Sequence, residues 1–459
     1  MKKIFISTIL AVFLAGLFIQ PCFAGSEGWK ERQDAMMKKH GLKAGEVYDA
    51  SNLAKIKHLL PVSVQKWVAQ HGWKIPIGEF KYYYGVDDKF FTRYPEKANI
   101  GKYALDERDG VIEVSTGKFP VGRQGIVFPM STFDMSTDPK AAHKLLHNVF
   151  SIGASKHSTF RDLTSEWVGD TGYERSFSAY FTVIYYQGAG TWRKNPNLFN
   201  INDMLYFTAP YDIEGTVALS WKYLDSKVPT KGYIYVPVIR RVKRTNGANR
   251  SDPTQGSDMC TDDSNAFNGD PETMDAKVIS QQDFLMPVLE NDLNRKLIGR
   301  KAADGTFEMP SGYEAVKANY VRAEGMDPNV APWALDGVAF VPRTGYQVEL
   351  FPRDPYYNYG KQVLWLDREG MLFNFKEIDD RSGEYWKTII VLYTALQYAD
   401  DKYVGLESSA YLMVDDKAYH GNCAAVMGSW RGYDIRTWIN STRLPASAFT
   451  PQNIQTMSR

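Results

Sequence analysis

Gly215-Thr-Val-Ala-Leu-Ser-Trp-Lys-Tyr223, a turn from Asp225 to Gly232, and Tyr233-Ile-Tyr-Val-Pro-Val-Ile-Arg-Arg-Val-Lys-Arg244 read as an aromatic β-hairpin that runs straight into charge. Five positive residues (Arg240, Arg241, Lys243, Arg244, Arg250) fall between 240 and 250 with no acid among them, and 252–275 carries seven acids and no Lys or Arg. Apolar alternation sends residues two apart to one face of a strand. Leu219, Trp221 and Tyr223 therefore share a face, as do Tyr233 and Tyr235. The pattern predicts a binding wall with a polar mouth.

Downstream, the clearest meander lies between Tyr359 and Tyr393. Strands Lys361–Leu366, Met371–Ile378 and Tyr385–Tyr393 are separated by Asp367-Arg-Glu-Gly370 and Asp379-Asp-Arg-Ser-Gly383, each closed by a Gly expected in the left-handed position. These strands bring Trp365, Phe373 and Trp386 to the expected wall. Tyr173–Tyr186 and Asp203–Ala209 have strand composition, and Asp336–Phe351 ends in strand; Gly312–Asn319 is mixed. So many antiparallel strands in succession predict a strongly curved sheet or partly closed barrel. Helices are expected over parts of 26–75, with Leu53, Ile56, Leu59 and Leu60 at helical spacing and Pro61 opening a second, over Asp138–Phe150, and near Gln281–Leu297.

The N-terminus reads as an address. Lys2 and Lys3 precede an apolar run from Ile4 to Ile19, closed by Cys22-Phe23-Ala24, which predicts a secretory signal cut after Ala24. The competing reading makes Cys22 a lipidated residue. Cleavage takes the formal charge from +1 to −1, so no global field draws the chain to nucleic acid, and electrostatic recognition has to be local. Hydrophobic residues at 44% and aromatics at 14% supply a large core. The mature chain keeps Cys260 and Cys423, either bridged across a loop of roughly 160 residues or held as two thiols.

Motifs for catalysis do not assemble. His143-Lys-Leu-Leu-His147 has the spacing of a zinc-protease helix but carries Lys144 where the water-activating Glu belongs. From Asp263, Asn265 fits a calcium-loop register while Phe267 does not. No nucleophile elbow, phosphate loop or dinucleotide fingerprint occurs. No cofactor, no metal and no enzymatic activity are expected, with a lipid or polysaccharide hydrolase as the weakest reading.

Tyr233 to Asp252, continuing through Gly256-Ser-Asp258 and Phe267-Asn-Gly269, resembles the signature of the bacterial family known as domain of unknown function 1329, wording that recurs in LolA/LolB-type lipoprotein-sorting proteins. Leu59-Leu-Pro61, Phe128-Pro129, Asp138-Pro139 and the Tyr359–Trp386 meander match in order; His147-Asn148 departs from the family's usual Trp-Asn. The resemblance implies an α+β fold: a large curved antiparallel sheet forming an incomplete β-barrel with a helical lid, LolA/LolB-like, plus an N-terminal helical segment. It implies a periplasmic protein, free or associated with the outer membrane. It also implies an inner-membrane exporter of the resistance-nodulation-division type and an outer-membrane porin-like protein as partners.

The expected division is a signal peptide at 1–24, an N-terminal helical and mixed segment at 25–150, a carrier-like sheet domain at 151–445 and a tail at 446–459. The leading functional expectation is a carrier for lipids or other hydrophobic ligands, and the alternative is an adaptor in an exporter/porin assembly. Under the first, Leu219, Trp221, Tyr223, Tyr233, Tyr235, Trp365, Phe373 and Trp386 line a cavity. Arg240, Arg241, Lys243, Arg244 and Arg250 then meet a headgroup or a partner, or instead neutralise the acidic loop.

Overall fold

The computed structural model describes residues 25–154, 156–169, 172–187, 193–245, 248–309, 337–398, 404–430, 433–441 and 445–457. The expected signal peptide and the mixed reading of Gly312–Asn319 lie outside them. Sixteen strands form one sheet, numbered in chain order: β1 Ser158–Gly169, β2 Gly172–Tyr185, β3 Phe199–Ala209, β4 Val217–Tyr223, β5 Lys231–Val236, β6 Arg241–Thr245, β7 Met274–Leu289 and β8 Leu297–Lys301 in the first half. The second half comprises β9 Phe307–Glu308, β10 Val338–Pro352, β11 Tyr359–Asp367, β12 Leu372–Asp380, β13 Tyr385–Tyr398, β14 Val404–Asp415, β15 His420–Ala425 and β16 Thr437–Ile439.

The sheet runs β6-β5-β4-β3-β2-β1-β16-β9-β8-β13-β12-β11-β10-β7, while β14 and β15 also join β13 to β1. Among the described strands of this sheet, only β8 with β13 pairs parallel, and the other pairs are antiparallel. The result is a large curved sheet bent into a partial ring. β1 gives one edge to β2 and the other to both β16, at Thr159–Arg161, and β15, at Thr164–Val168.

The meander forms as read, with β11, β12 and β13 in consecutive pairing. Its second turn has Gly383 at φ 87, but in the first the left-handed residue is Met371 at φ 51, not Gly370. Two other expectations are corrected. The helix near Gln281–Leu297 is instead the second half of β7, a 16-residue strand whose apolar run Phe284–Leu289 is buried on both faces. A continuous apolar run carries no periodicity to separate strand from helix, and Pro287 is tolerated because β7 is an edge strand. The expected return strand Tyr233–Arg244 breaks at Pro237–Ile239, where Arg240 takes a left-handed φ of 51 and the chain reverses into β6.

The N-terminal segment covers one face of β10–β14. Helix α1, Trp29–His40, ends at the left-handed Gly41, and Gln33 exchanges hydrogen bonds of 3.1 and 2.9 Å with the Phe80 backbone. Leu53, Ile56, Leu59 and Leu60 are buried as expected, but on two 3-10 turns, because Leu60 precedes Pro61 and is extended. Helix α2, Val62–His71, then seats the Trp67 indole on Asp416 at 3.0 Å and the Ser63 amide on Glu377 at 2.8 Å. Farther along, α3 spans Asp88–Arg93, α4 Ala141–Gly153 and α5 Pro451–Met457.

Candidate functional site

The connection between β6 and β7 decides the architecture, because these strands are neighbours in sequence and stand at opposite ends of the sheet order. The chain must cross the face of the sheet between them, and it does so with the acidic signature loop. Ser251, Asp258, Cys260, Asp262, Asp263, Ala266 and Phe267 are all buried. Backbone and side chains that leave water need internal partners, and the sheet supplies them.

At the first half of the sheet, Arg250 donates to Asp262 at 2.6 Å and to the Asn268 carbonyl at 3.0 Å. Burial pulls its pKa down, but the carboxylates of Asp262 and Asp270 more than offset that and hold it protonated. Lys222 of β4 donates to the Asn268 carbonyl and lies 3.4 Å from Asp270. At the second half, Asp263 accepts from Lys376 of β12 at 2.8 Å, from the Tyr359 hydroxyl at 2.7 Å and from the Cys260 amide at 2.8 Å. The Asp263–Lys376 pair is fully buried, at 0% exposure on both sides. Tyr357 donates to Asp262 at 2.9 Å, Tyr411 of β14 to Asn265 at 2.7 Å, and His420 of β15 meets Asp258 at 2.6 Å. The Asp258 hydrogen bond is the chief cause of the raised His420 pKa. The acids that invited a calcium reading are thus occupied by bases and hydroxyls of the sheet, of its loops and of the crossing segment itself.

The expected wall residues separate into two groups. Leu219, Trp221, Tyr223, Tyr233 and Tyr235 share one face of β4 and β5 with Val217, and that face is covered by the C-terminal segment through Phe449 and Ile454. Trp221 donates its indole N–H to the Phe449 carbonyl at 2.9 Å. The opposite face of β4 presents Ser220 and Lys222 to the crossing loop. Trp365, Phe373 and Trp386 belong instead to the main core under the N-terminal helices, where Trp365 packs against Phe284 and Phe375. The eight residues do not meet in one cavity.

The basic tract also divides. Arg250 turns inward, whereas Arg240, Arg241, Lys243 and Arg244 are exposed on and beside β6, whose outer edge pairs with no other described strand. Cys260 and Cys423 are buried thiols, not a bridge. Burial pushes the Cys260 thiol well up, and Cys423 sits on β15 opposite Leu412 and Glu166. His143 and His147 hold α4 in place: their Nε2 atoms meet the Met274 and Asp109 carbonyls at 3.0 and 2.7 Å. Missed in the sequence were the buried bases Lys222, Lys376 and Lys387. A Lys inside an otherwise apolar strand, as in Phe373-Asn-Phe-Lys376, is the signal that would have found them, since such a charge has to be paired.

These features define a curved-sheet protein whose charged signature is an internal lock between the two ends of its sheet. The chain belongs to the family described as protein of unknown function (DUF1329), whose model matches residues 47–455. Among solved structures it is similar to an outer membrane lipoprotein-sorting protein domain from Vibrio parahaemolyticus, with 15% identity over 69% of this chain and 100% of that one and a TM-score of 0.45. It is similar to a DUF1329 family protein from Desulfovibrio piger ATCC 29098 at 13% identity, 69% and 100% coverage and a TM-score of 0.44. A LolA superfamily protein from Nitrosomonas europaea aligns at 12% identity over 64% and 90% of the two chains, with a TM-score of 0.35. No curated protein matches the sequence.

Proposed function

We propose that the chain is a non-catalytic, periplasmic binding protein for an acyl chain or similar apolar ligand, and that the ligand takes the aromatic trough of β3–β5 now held by the C-terminal segment. One observation supports this above the others. The trough formed by Phe199, Trp221, Tyr223, Tyr233 and Tyr235 is covered by a short segment that commits two fully buried side chains, Phe449 at 1% and Ile454 at 0% exposure. Burying two such side chains contributes about 3–6 kcal/mol. A dozen methylenes at about 0.8 kcal/mol each contribute roughly 10 kcal/mol, so an acyl chain can displace the segment.

A fluorescent fatty acid titrated into the protein tests this. Loosening the segment with F449A/I454A raises the binding-competent fraction and tightens apparent affinity about tenfold or more, and W221A weakens it. Affinity unchanged in both variants sinks the proposal. Native mass spectrometry of the gently purified chain reports whether a lipid travels with it.

A further inference from the structure

The loop between β3 and β4 and the loop between β5 and β6 lie at one end of the sheet, because Val217 pairs with both Tyr206 and Tyr235, and Val236 pairs with Arg241. Each loop turns an apolar side chain outward. Tyr211 is 91% exposed, Val238 84% and Ile239 43%. Scattered exposed apolar residues are ordinary, but these three cluster at one tip and stand beside four exposed bases. Arg240 and Arg241 are at the tip, and Lys243 and Arg244 continue along the free edge within about 10 Å of it. Asp212 and Glu214 are exposed in the β3–β4 loop, two acids against the four bases of the turn and edge.

We infer that this tip docks on an anionic lipid bilayer, with Tyr211, Val238 and Ile239 entering the interface and Arg240, Arg241, Lys243 and Arg244 on the headgroups. The inference stands apart from the trough of β3–β5 and survives if no ligand binds there. Charge on an edge strand also discourages edge-to-edge pairing, which accounts for Lys243 and Arg244. It does not account for Val238 and Ile239, placed outward by a turn whose last residue, Arg240, adopts a left-handed backbone. Aliphatic and aromatic tips flanked by guanidinium groups combine the two terms that hold proteins at anionic interfaces, apolar burial and headgroup attraction.

Co-sedimentation of the purified chain with phosphatidylglycerol-containing vesicles, against vesicles of phosphatidylcholine alone, tests the inference. Binding is expected only to the first and falls with added salt. R240Q/R241Q weakens it about fivefold per base removed, and V238D/I239D abolishes it. All four side chains are exposed, so circular dichroism and thermal midpoints should stay at wild-type values. Equal sedimentation with both vesicle types, or unchanged binding in both variants, overturns the inference. So does binding to polyglutamate without binding to either vesicle, which would assign the free edge of β6 to an acidic extended peptide instead.

Discussion

Replacing Lys376 by Met tests whether the crossing loop is locked by charge. The side chain is 0% exposed and lies 2.8 Å from Asp263, itself 0% exposed. Met keeps most of the volume and removes the ammonium, leaving Asp263 with the Tyr359 hydroxyl and the Cys260 amide as donors. Two neutral donors do not replace a cation for a carboxylate out of water, so K376M is expected to cost about 3–5 kcal/mol. D263N strands the Lys376 ammonium and costs a similar amount. The double variant removes both charges and relieves both penalties, so its loss falls short of the sum of the singles by about 3 kcal/mol. Urea midpoints taken where fluorescence and circular dichroism coincide give these values. A K376M loss under about 1 kcal/mol, or strict additivity in the double variant, would refute the lock.

Acid should unfold the protein through His147, whose pKa burial, reinforced by Arg123, lowers to about 3. Because the folded value lies below the ordinary 6.5, the unfolded chain binds the extra proton between these limits. The contribution is whole above pH 6.5 and is lost as pH falls toward 3, by an amount on the order of 5 kcal/mol; H147Q flattens that part of the pH–stability curve, and a profile identical to wild type refutes the assignment. Cys260 and Cys423 should resist a thiol reagent in the native protein and titrate as two thiols after denaturation without reductant; a count of zero would establish a bridge.

The meander was legible because its turns are polar, Gly-closed and evenly spaced, and nothing else in those residues competes. Strand β7 was not, since burial on both faces erases the alternation that identifies a strand, and Gln281-Gln-Asp283 adds no period. The split of β5 from β6 depends on one backbone angle at Arg240, and arginine has no preference that announces a left-handed residue. For the site, adjacency misled. Arg240 to Arg250 is one run in sequence, but the reversal at Pro237–Ile239 leaves four bases exposed at the turn and on the edge strand, while Arg250 lies beyond that strand in the crossing segment and turns to Asp262. The aromatic face of β4 and β5 was read correctly as a shared face, while its cover came from residues 446–454, far along the chain and without any periodic signal.

The family signature thereby acquires a physical reason. A sheet whose consecutive strands β6 and β7 stand at opposite ends of its order needs a crossing segment, and one laid across the sheet loses its water. An apolar crossing would slide over the sheet, with no contact worth more than its neighbours. Carboxylates fix it instead: Asp270 reaches Lys222 near one end, Asp263 reaches Lys376 near the other, and Asp258 is held by His420 between. Each acid selects one strand by pairing with its base, and a shift by one residue leaves several buried charges unpaired at once. Arg250, Asp262 and Asp263 therefore specify where the two halves of the sheet sit relative to each other, which leaves the exposed Arg240–Arg244 edge as the part of the signature open to partners.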